Sequence, residues 1–203
     1  MARVTRRYLF LKRILDLVLL LIALPFVATA CLVIAVLVRI DSPGPIVFKQ
    51  NRTGQFGRRF EIYKFRTMLA NAEELKAQLA HLNVLDPPDF KIPDDPRITR
   101  VGRFLRKTSL DELPQLLNVA KGDMSLVGPR PTSFSASTYD VWHGRRLEVP
   151  PGVTGLWQLG ARHDSGFDER VRIDDEYIHT MSLRTDLSIL WRTVASVVTA
   201  RGA

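Results

Sequence analysis

Residues 17–38, LVLLLIALPFVATACLVIAVLV, run without a single charge. At a rise of about 1.5 Å per residue, such a run reaches across a hydrocarbon core of about 30 Å. A chain built around it must place that segment in lipid. A cleaved signal peptide is one alternative, because Ala28-Thr29-Ala30 has the form of a cleavage site. The apolar residues that follow, CLVIAVLV, are too hydrophobic to open a mature soluble chain, which argues for retention.

Two details disturb a simple span. Pro25 sits in mid-segment, where it removes a helix hydrogen bond and crowds the preceding turn. Both flanks are also basic. Arg3, Arg6, Arg7, Lys12 and Arg13 precede the segment, and residues 39–66 carry seven Lys or Arg against Asp41 and Glu61. Positive flanks favour the cytoplasmic side, and a straight span cannot put both there. A helix broken at Pro25 that dips in and returns does so, although Pro-kinked spans are also well tolerated. Composition alone leaves span and dip both open.

The remainder of the 203-residue chain is long enough to bury a core as one domain. A net charge of +8 points to polyanionic partners: nucleic acid, phosphorylated small molecules or an anionic membrane. Cys31 is the single cysteine and the four histidines are scattered, which excludes an internal disulfide or a cysteine zinc cluster. IVFKQNR and RRFEIYKFR, separated by TGQFG, predict a β-hairpin. Leu75, Leu79 and Leu82 predict an amphipathic helix over 68–83, and DPPDFKIPDDP reads as an irregular surface loop. In RITRVGRFLRK, Arg97, Arg100, Arg103 and Arg106 recur every third position beside an apolar flank, with no acid to balance them. Helices are expected from Phe167 to Met181 and from Asp186 to Ala200, the last suited either to the core or to a membrane interface.

The sharpest local feature is Thr108-Ser109-Leu110-Asp111-Glu112-Leu113-Pro114-Gln115. A capping box from Ser109 to Glu112 is one reading, but Asp111 as the cap places Pro114 better, in the first turn. Such a cap is worth about 1 kcal/mol and would by itself account for Asp111. The same geometry serves chemistry. A carboxylate at a helix N-terminus beside Arg106 and Lys107 is expected to stay ionised, as a nucleophile or metal ligand must. Glu112 is then a second ligand or a base, and Mg²⁺ suits one or two carboxylates joined by substrate phosphate oxygens. Downstream, Pro129 and Pro131 restrain Arg130, whose guanidinium suits a bidentate grip on phosphate. PPGVTGLWQLGAR then supplies a glycine-rich turn, a short strand and Arg162. There is no GxGxxG and no Walker lysine.

With FKQNRTGQFGRRFEIYKFRTM, DDPRITRVGRFLRKTSLDELPQLLNVAKGDMSLVGPRP and PGVTGLWQLGAR, the chain resembles the monotopic phosphoglycosyl transferases, bacterial polyprenyl-phosphate sugar-1-phosphate transferases, from about residue 8 onward. The resemblance implies transfer of a sugar-1-phosphate from a UDP-sugar to undecaprenyl phosphate, with release of UMP. It implies Asp111 as the nucleophile that carries a covalent phosphosugar, Glu112 as its assistant and Mg²⁺ as cofactor, held by Asp111 and Glu112. Arg106 and Arg130 would handle phosphate, and Lys64, Arg66 and Arg162 match site positions. Leu24-Pro25 stands where the family often has Ser-Pro, and GLWQLGAR where it often has GLWQVSGR. The insert at 68–96 and FDERVRIDDEY look most like hexose-transferring members.

The expected fold is therefore α+β and mostly helical. Residues 1–40 form a re-entrant, Pro-broken membrane anchor, and 41–203 a cytoplasmic catalytic domain with a small β-hairpin and amphipathic interfacial helices. The expected location is the bacterial cytoplasmic membrane, in exopolysaccharide or O-antigen assembly. Expected partners are the UDP-sugar, undecaprenyl phosphate and membrane lipid, with a homo-oligomer left open. A tethered nucleic-acid binder would want stacking aromatics among the arginines, and the basic stretch offers only Phe104. A non-catalytic scaffold would be indifferent to loss of the Asp111 charge.

Overall fold

The computed structural model of the protein describes residues 5–84, 90, 92–160 and 166–198. Helix α1 (Arg6–Asp41) runs for 36 residues and is capped by Thr5, whose hydroxyl accepts from the Tyr8 amide at 3.2 Å. The break expected at Pro25 does not interrupt it: Pro25 lies inside one continuous helix. A proline forfeits its own N–H bond and loosens a carbonyl, which weakens or kinks a helix without ending it. Here Thr29 Oγ1 donates to the Pro25 carbonyl at 2.9 Å, one turn on.

Both halves of α1 are fastened to the same body. Near its start, Lys12 Nζ meets Asp186 at 2.9 Å, and Asp16 accepts from Ser125 Oγ at 2.7 Å and from the Leu126 amide at 3.3 Å. Near its end, Ile34 and Val38 pack with Phe65 and Leu105, and Asp41 accepts from the Val101 amide at 2.9 Å. Between these attachments Leu21, Ile22, Leu24 and Phe26 are exposed. Among the described residues, α1 is the one helix long and apolar enough to cross a membrane.

Strands β1 (Val47–Thr53) and β2 (Arg59–Phe65) form the expected antiparallel hairpin, in register from Val47↔Phe65 to Thr53↔Arg59. Its turn needs left-handed backbone, at Phe56 (φ 55°) and Gly57 (φ 76°). Helix α2 (Ala72–Gln78) is much shorter than the leucine spacing predicts, and it buries no residue. Leu75 and Leu79 are only half-buried, so tertiary packing supplies little to extend it.

Helix α3 (Arg100–Thr108) starts at Thr99, whose Oγ1 accepts from the Gly102 amide at 3.0 Å. The predicted row of four arginines divides here. Arg97 precedes the helix and is buried against Asp95, at 2.6 Å, while Arg100 and Arg103 are exposed and Arg106 turns inward. Gly102 is where α3 crosses the chain after β2. A Cβ there would lie 2.1 Å from the Thr67 carbonyl oxygen, so only glycine permits the approach.

Ser109 (φ 57°) closes α3 and a 3₁₀ turn, Leu110–Gln115, leads into α4 (Leu116–Lys121). Strand β3 (Ser125–Val127) pairs in parallel with β4 (Gly152–Thr154) at the centre of the body. Helices α5 (Leu156–Gly160), α6 (Phe167–Thr180) and α7 (Leu183–Val198) surround that pair. The main core joins Ile62, Val119, Met124, Val127, Tyr177 and Ile189, so it draws on the hairpin, α4, β3, α6 and α7 together. On α7, Ile189 faces this core while Leu187, Trp191 and Val194 are exposed. The result is mostly helical with two small two-stranded sheets, as the α+β expectation requires.

Candidate active site

The 3₁₀ turn after α3 holds the carboxylate pair. Neither sequence-derived cap forms: no side chain caps the turn or α4, and among the described residues Asp111 accepts no hydrogen bond. Ser109 is spent on the left-handed end of α3, so the chain reverses there and Pro114 sits inside the 3₁₀ turn instead of a helix first turn. The capping explanation of Asp111 is thereby removed. A carboxylate that is 8% exposed, with no structural bond to make, faces a cavity of about 720 Å³.

The hairpin and the Pro-Arg-Pro turn bring cations to that cavity. Lys64, on β2, reaches Glu112 Oε1 at 2.8 Å. Arg130 grips Glu112 with both terminal nitrogens, Nη1 to Oε2 at 2.9 Å and Nη2 to Oε1. Arg106 lines the same cavity, its Nε donating to Thr67 Oγ1 at 2.9 Å. The turn that carries Arg130 is itself fixed. Gly128 N donates to Thr154 O and Gly152 N to Pro129 O, each at 2.9 Å, and a Cβ on Gly152 would meet Gly128 N at 2.1 Å.

Burial and charge set the two carboxylates apart. Burial pushes Asp111 above the usual carboxylate range, although Lys64, Arg130 and Arg106 pull the other way. Burial would also raise Glu112, but Arg130 and Lys64 outweigh it and hold that carboxylate well below its ordinary value. A carboxylate so strongly paired is a poor base, and Glu112 accepts two bonds on Oε1 and one on Oε2. Its first role in this geometry is to anchor cations, with one lone pair of Oε2 left over. Asp111 keeps all of its lone pairs, and one or two carboxylates with substrate phosphate oxygens fit the habit of Mg²⁺.

The other expected residues are distributed unevenly. Arg66 borders the cavity, but its Nη2 is drawn to α1, donating to Ser42 O at 2.6 Å and Ser42 Oγ at 3.0 Å. It closes the C-terminal end of α1, where backbone carbonyls lack partners. Arg162 lies outside the described residues. Sequence reasoning passed over Arg52 and Trp157, which also line the cavity. Both stand in the quoted motifs, QNRTG and GLWQ, but nothing in their spacing separates them from structural neighbours.

The chain is 43% identical over 97% of its length to the galactosyl transferase CpsE of Streptococcus agalactiae serotype III, covering 44% of that protein. It is 44% identical over 96% of its length to the undecaprenyl-phosphate galactose phosphotransferase of Salmonella typhimurium, covering 42% of it. It is 38% identical over 95% of its length to the exopolysaccharide production protein ExoY of Sinorhizobium fredii, covering 87% of that shorter relative. The chain thus spans less than half the length of the first two. The family model for bacterial sugar transferases matches residues 7–200, and the chain belongs to that family.

Proposed function

We propose that the chain transfers a sugar-1-phosphate from a UDP-sugar to undecaprenyl phosphate and releases UMP, with Asp111 as the nucleophile. The observation that carries this is Asp111 itself: a buried carboxylate with no structural partner, opening on a large cavity that Lys64, Arg106 and Arg130 border. An Asp111 oxygen attacks the phosphorus that bears the sugar, and the bond from that phosphorus to the UMP oxygen breaks. An oxygen of undecaprenyl phosphate then attacks the same phosphorus and expels Asp111, giving the sugar diphospholipid. Splitting the exchange in this way lets two bulky phosphates use one site in turn. The second nucleophile needs no strong base, because a phosphate monoester is largely dianionic near neutral pH. Glu112 keeps Lys64 and Arg130 in place, and these cations offset charge on the transferring oxygens. Mg²⁺, when bound, would be held by Asp111 with substrate phosphate oxygens and would add further charge neutralisation.

The lipid acceptor is supported by the cavity rim, where Val47, Phe48 and Leu69 make an apolar path beside the end of α1. A re-entrant α1, bent at Pro25 with the body on the cytoplasmic face of the bacterial inner membrane, is supported by its two attachments to one body. Relatives named for galactose and for N-acetylgalactosamine make UDP-hexoses the first donors to test. In a Cys31→Ala background, Arg6→Cys and Pro43→Cys should label from the same side of the membrane. Labelling from opposite sides would restore a straight span.

The decisive chemical test is Asp111→Asn with UDP-galactose and undecaprenyl phosphate. The variant should fold and insert yet release no UMP, while wild-type protein given donor alone should gain the mass of a hexose phosphate. Turnover by the variant would exclude Asp111 as nucleophile. Release of UDP instead of UMP would place the protein among transferases that move the sugar alone.

A further inference from the structure

Behind the main cavity lies a second, much smaller one of about 100 Å³. Arg52, Arg130 and Trp157 line both, so the two spaces meet across these three side chains. The far wall of the small cavity is formed by Phe134 and Phe167, whose rings meet edge to face at 5.5 Å. Resting on the reading above, we propose that this small cavity takes the pyrimidine base of the departing nucleotide, with Arg52 holding its phosphate.

Arg52 is placed for that task. It is half-buried on β1, its Nη2 donates to Gln50 Oε1 at 2.5 Å and its Nη1 to Pro131 O at 3.4 Å, and its Nε is buried without a partner. Burial, and then the charge of neighbouring Arg130, lower its pKa to about 10. Arg52 and Arg130, with Lys64 and Arg106, outnumber Asp111 and Glu112 around the shared space, which leaves positive charge for an anion to neutralise. The phosphate that leaves must lie beside the one that Asp111 attacks, on the side away from Asp111. Arg52 and Arg130 border the cavity at its junction with the smaller one, so a phosphate there has its nucleoside directed inward.

The small cavity has the chemistry of a base site. Arg170 lies over the faces of Trp157 and Phe167, at 5.8 and 5.9 Å, and Arg146 over Phe167 at 5.5 Å. Aromatic and guanidinium planes of this kind stack on nucleobases. Trp157 Nε1 is buried without a partner, a donor available to a base carbonyl. The wall is firm, because Arg146 is clamped by Asp174 at 2.7 Å and donates to Arg130 O at 2.7 Å. The space of about 100 Å³ is open to the larger cavity across Arg52, Arg130 and Trp157. A six-membered ring would enter it edge first with its sugar in the larger cavity, and a fused two-ring purine, being longer, would press further on Phe134 and Phe167.

Equilibrium binding separates this proposal from the transfer reaction itself. Full-length Asp111→Asn protein in lipid nanodiscs, which holds nucleotide without turning over, is titrated calorimetrically with UMP, CMP, AMP and inorganic phosphate. UMP and CMP should bind at least tenfold more tightly than AMP. Arg52→Gln should weaken both UMP and phosphate by tenfold or more, whereas Trp157→Leu should weaken UMP and leave phosphate unchanged. Arg52→Lys and Trp157→Phe, with melting temperatures for all four, distinguish lost contacts from lost folding. Equal affinity for UMP and AMP, no nucleotide binding, or UMP affinity unchanged in well-folded Arg52→Gln and Trp157→Leu would each overturn the proposal. UMP release by Asp111→Asn would instead sink the nucleophile and leave the base site standing.

Discussion

Asp186 gathers three donors in a buried place: Lys12 Nζ at 2.9 Å and Tyr8 OH at 2.7 Å on Oδ2, and Tyr177 OH at 2.7 Å on Oδ1. Lys12 and Asp186 side chains are 3% and 1% exposed, so neither has water to fall back on. Asp186→Asn keeps the shape but leaves one acceptor oxygen for three donors and an ammonium with only the neighbouring Asp16 charge. Breaking a buried pair in this way costs about 3–5 kcal/mol. For a chain of this size that is a fall in melting temperature of roughly 6–20 °C. Lys12→Met alone should also destabilise, because Asp186 is then a buried anion without its cation, held only by the Tyr8 and Tyr177 hydroxyls. The double variant removes both charges, while Asp16 keeps Ser125 and Leu126 as partners. It should be more stable than the sum of the single losses predicts, by about 2 kcal/mol. Thermal or denaturant unfolding of the four proteins in one detergent measures the cycle. Additive losses, or single variants within about 0.5 kcal/mol of wild type, would refute the claim that this pair fastens α1 to the body.

Gly102→Ala places a methyl group against the Thr67 backbone, which no side-chain motion relieves; it should cost about 2–3 kcal/mol in unfolding experiments and lower turnover by displacing Arg106. Glu112→Gln and Asp111→Asn should separate stability from activity. The first leaves Lys64 and Arg130 without their anion and should lose about 2–3 kcal/mol along with turnover. Asp111→Asn should lose turnover only: because burial raises the folded-state pKa of Asp111, its ionised form is a cost at neutral pH, and thermal melts at pH 7 should show Asn at least as stable. If Asp111 is the nucleophile it must be ionised, so kcat/KM for the UDP-sugar should begin to fall above the ordinary aspartate value, and Lys64→Met should move that limb higher still. A rate flat down to about pH 4 would contradict this.

What the sequence disclosed depended on how local the cause was. The uncharged run, the hairpin around TGQFG and the helix around Val171–Ile178 follow from composition and periodicity, and each is present. The carboxylate pair and the Pro-Arg-Pro turn were legible as motifs, and the structure brings them to one cavity. What failed was the assignment of partners. Arg66 and Lys64 stand two residues apart on the same strand side, yet one ties α1 and the other meets Glu112. Arg97 and Arg106 share a three-residue rhythm, yet only Arg106 reaches the site, because α3 begins after Arg97 and Asp95 claims it. Asp111 read as a cap because Pro114 suits a helix first turn, and nothing in the local sequence marks Ser109 as the left-handed residue that redirects the chain. Arg52 and Trp157 were invisible for a related reason: their importance lies in the neck they form, which no spacing encodes.

The fastening of α1 at two places bears on how a lipid acceptor of the proposed kind would be met. A body tethered at one point swivels, and each meeting with a headgroup begins from a random attitude. Here Lys12 holds one end of the helix to α7, and Ile34 with Val38 holds the other to Phe65 and Leu105, about 39 Å further along the helical path. Two such moorings remove most rotation before any substrate arrives, so the encounter does not have to supply that entropy. An acceptor of the proposed kind, confined to a bilayer, would search a plane instead of a volume. A cavity held at a fixed heading to α1 would then meet its phosphate and its lipid end in one attitude.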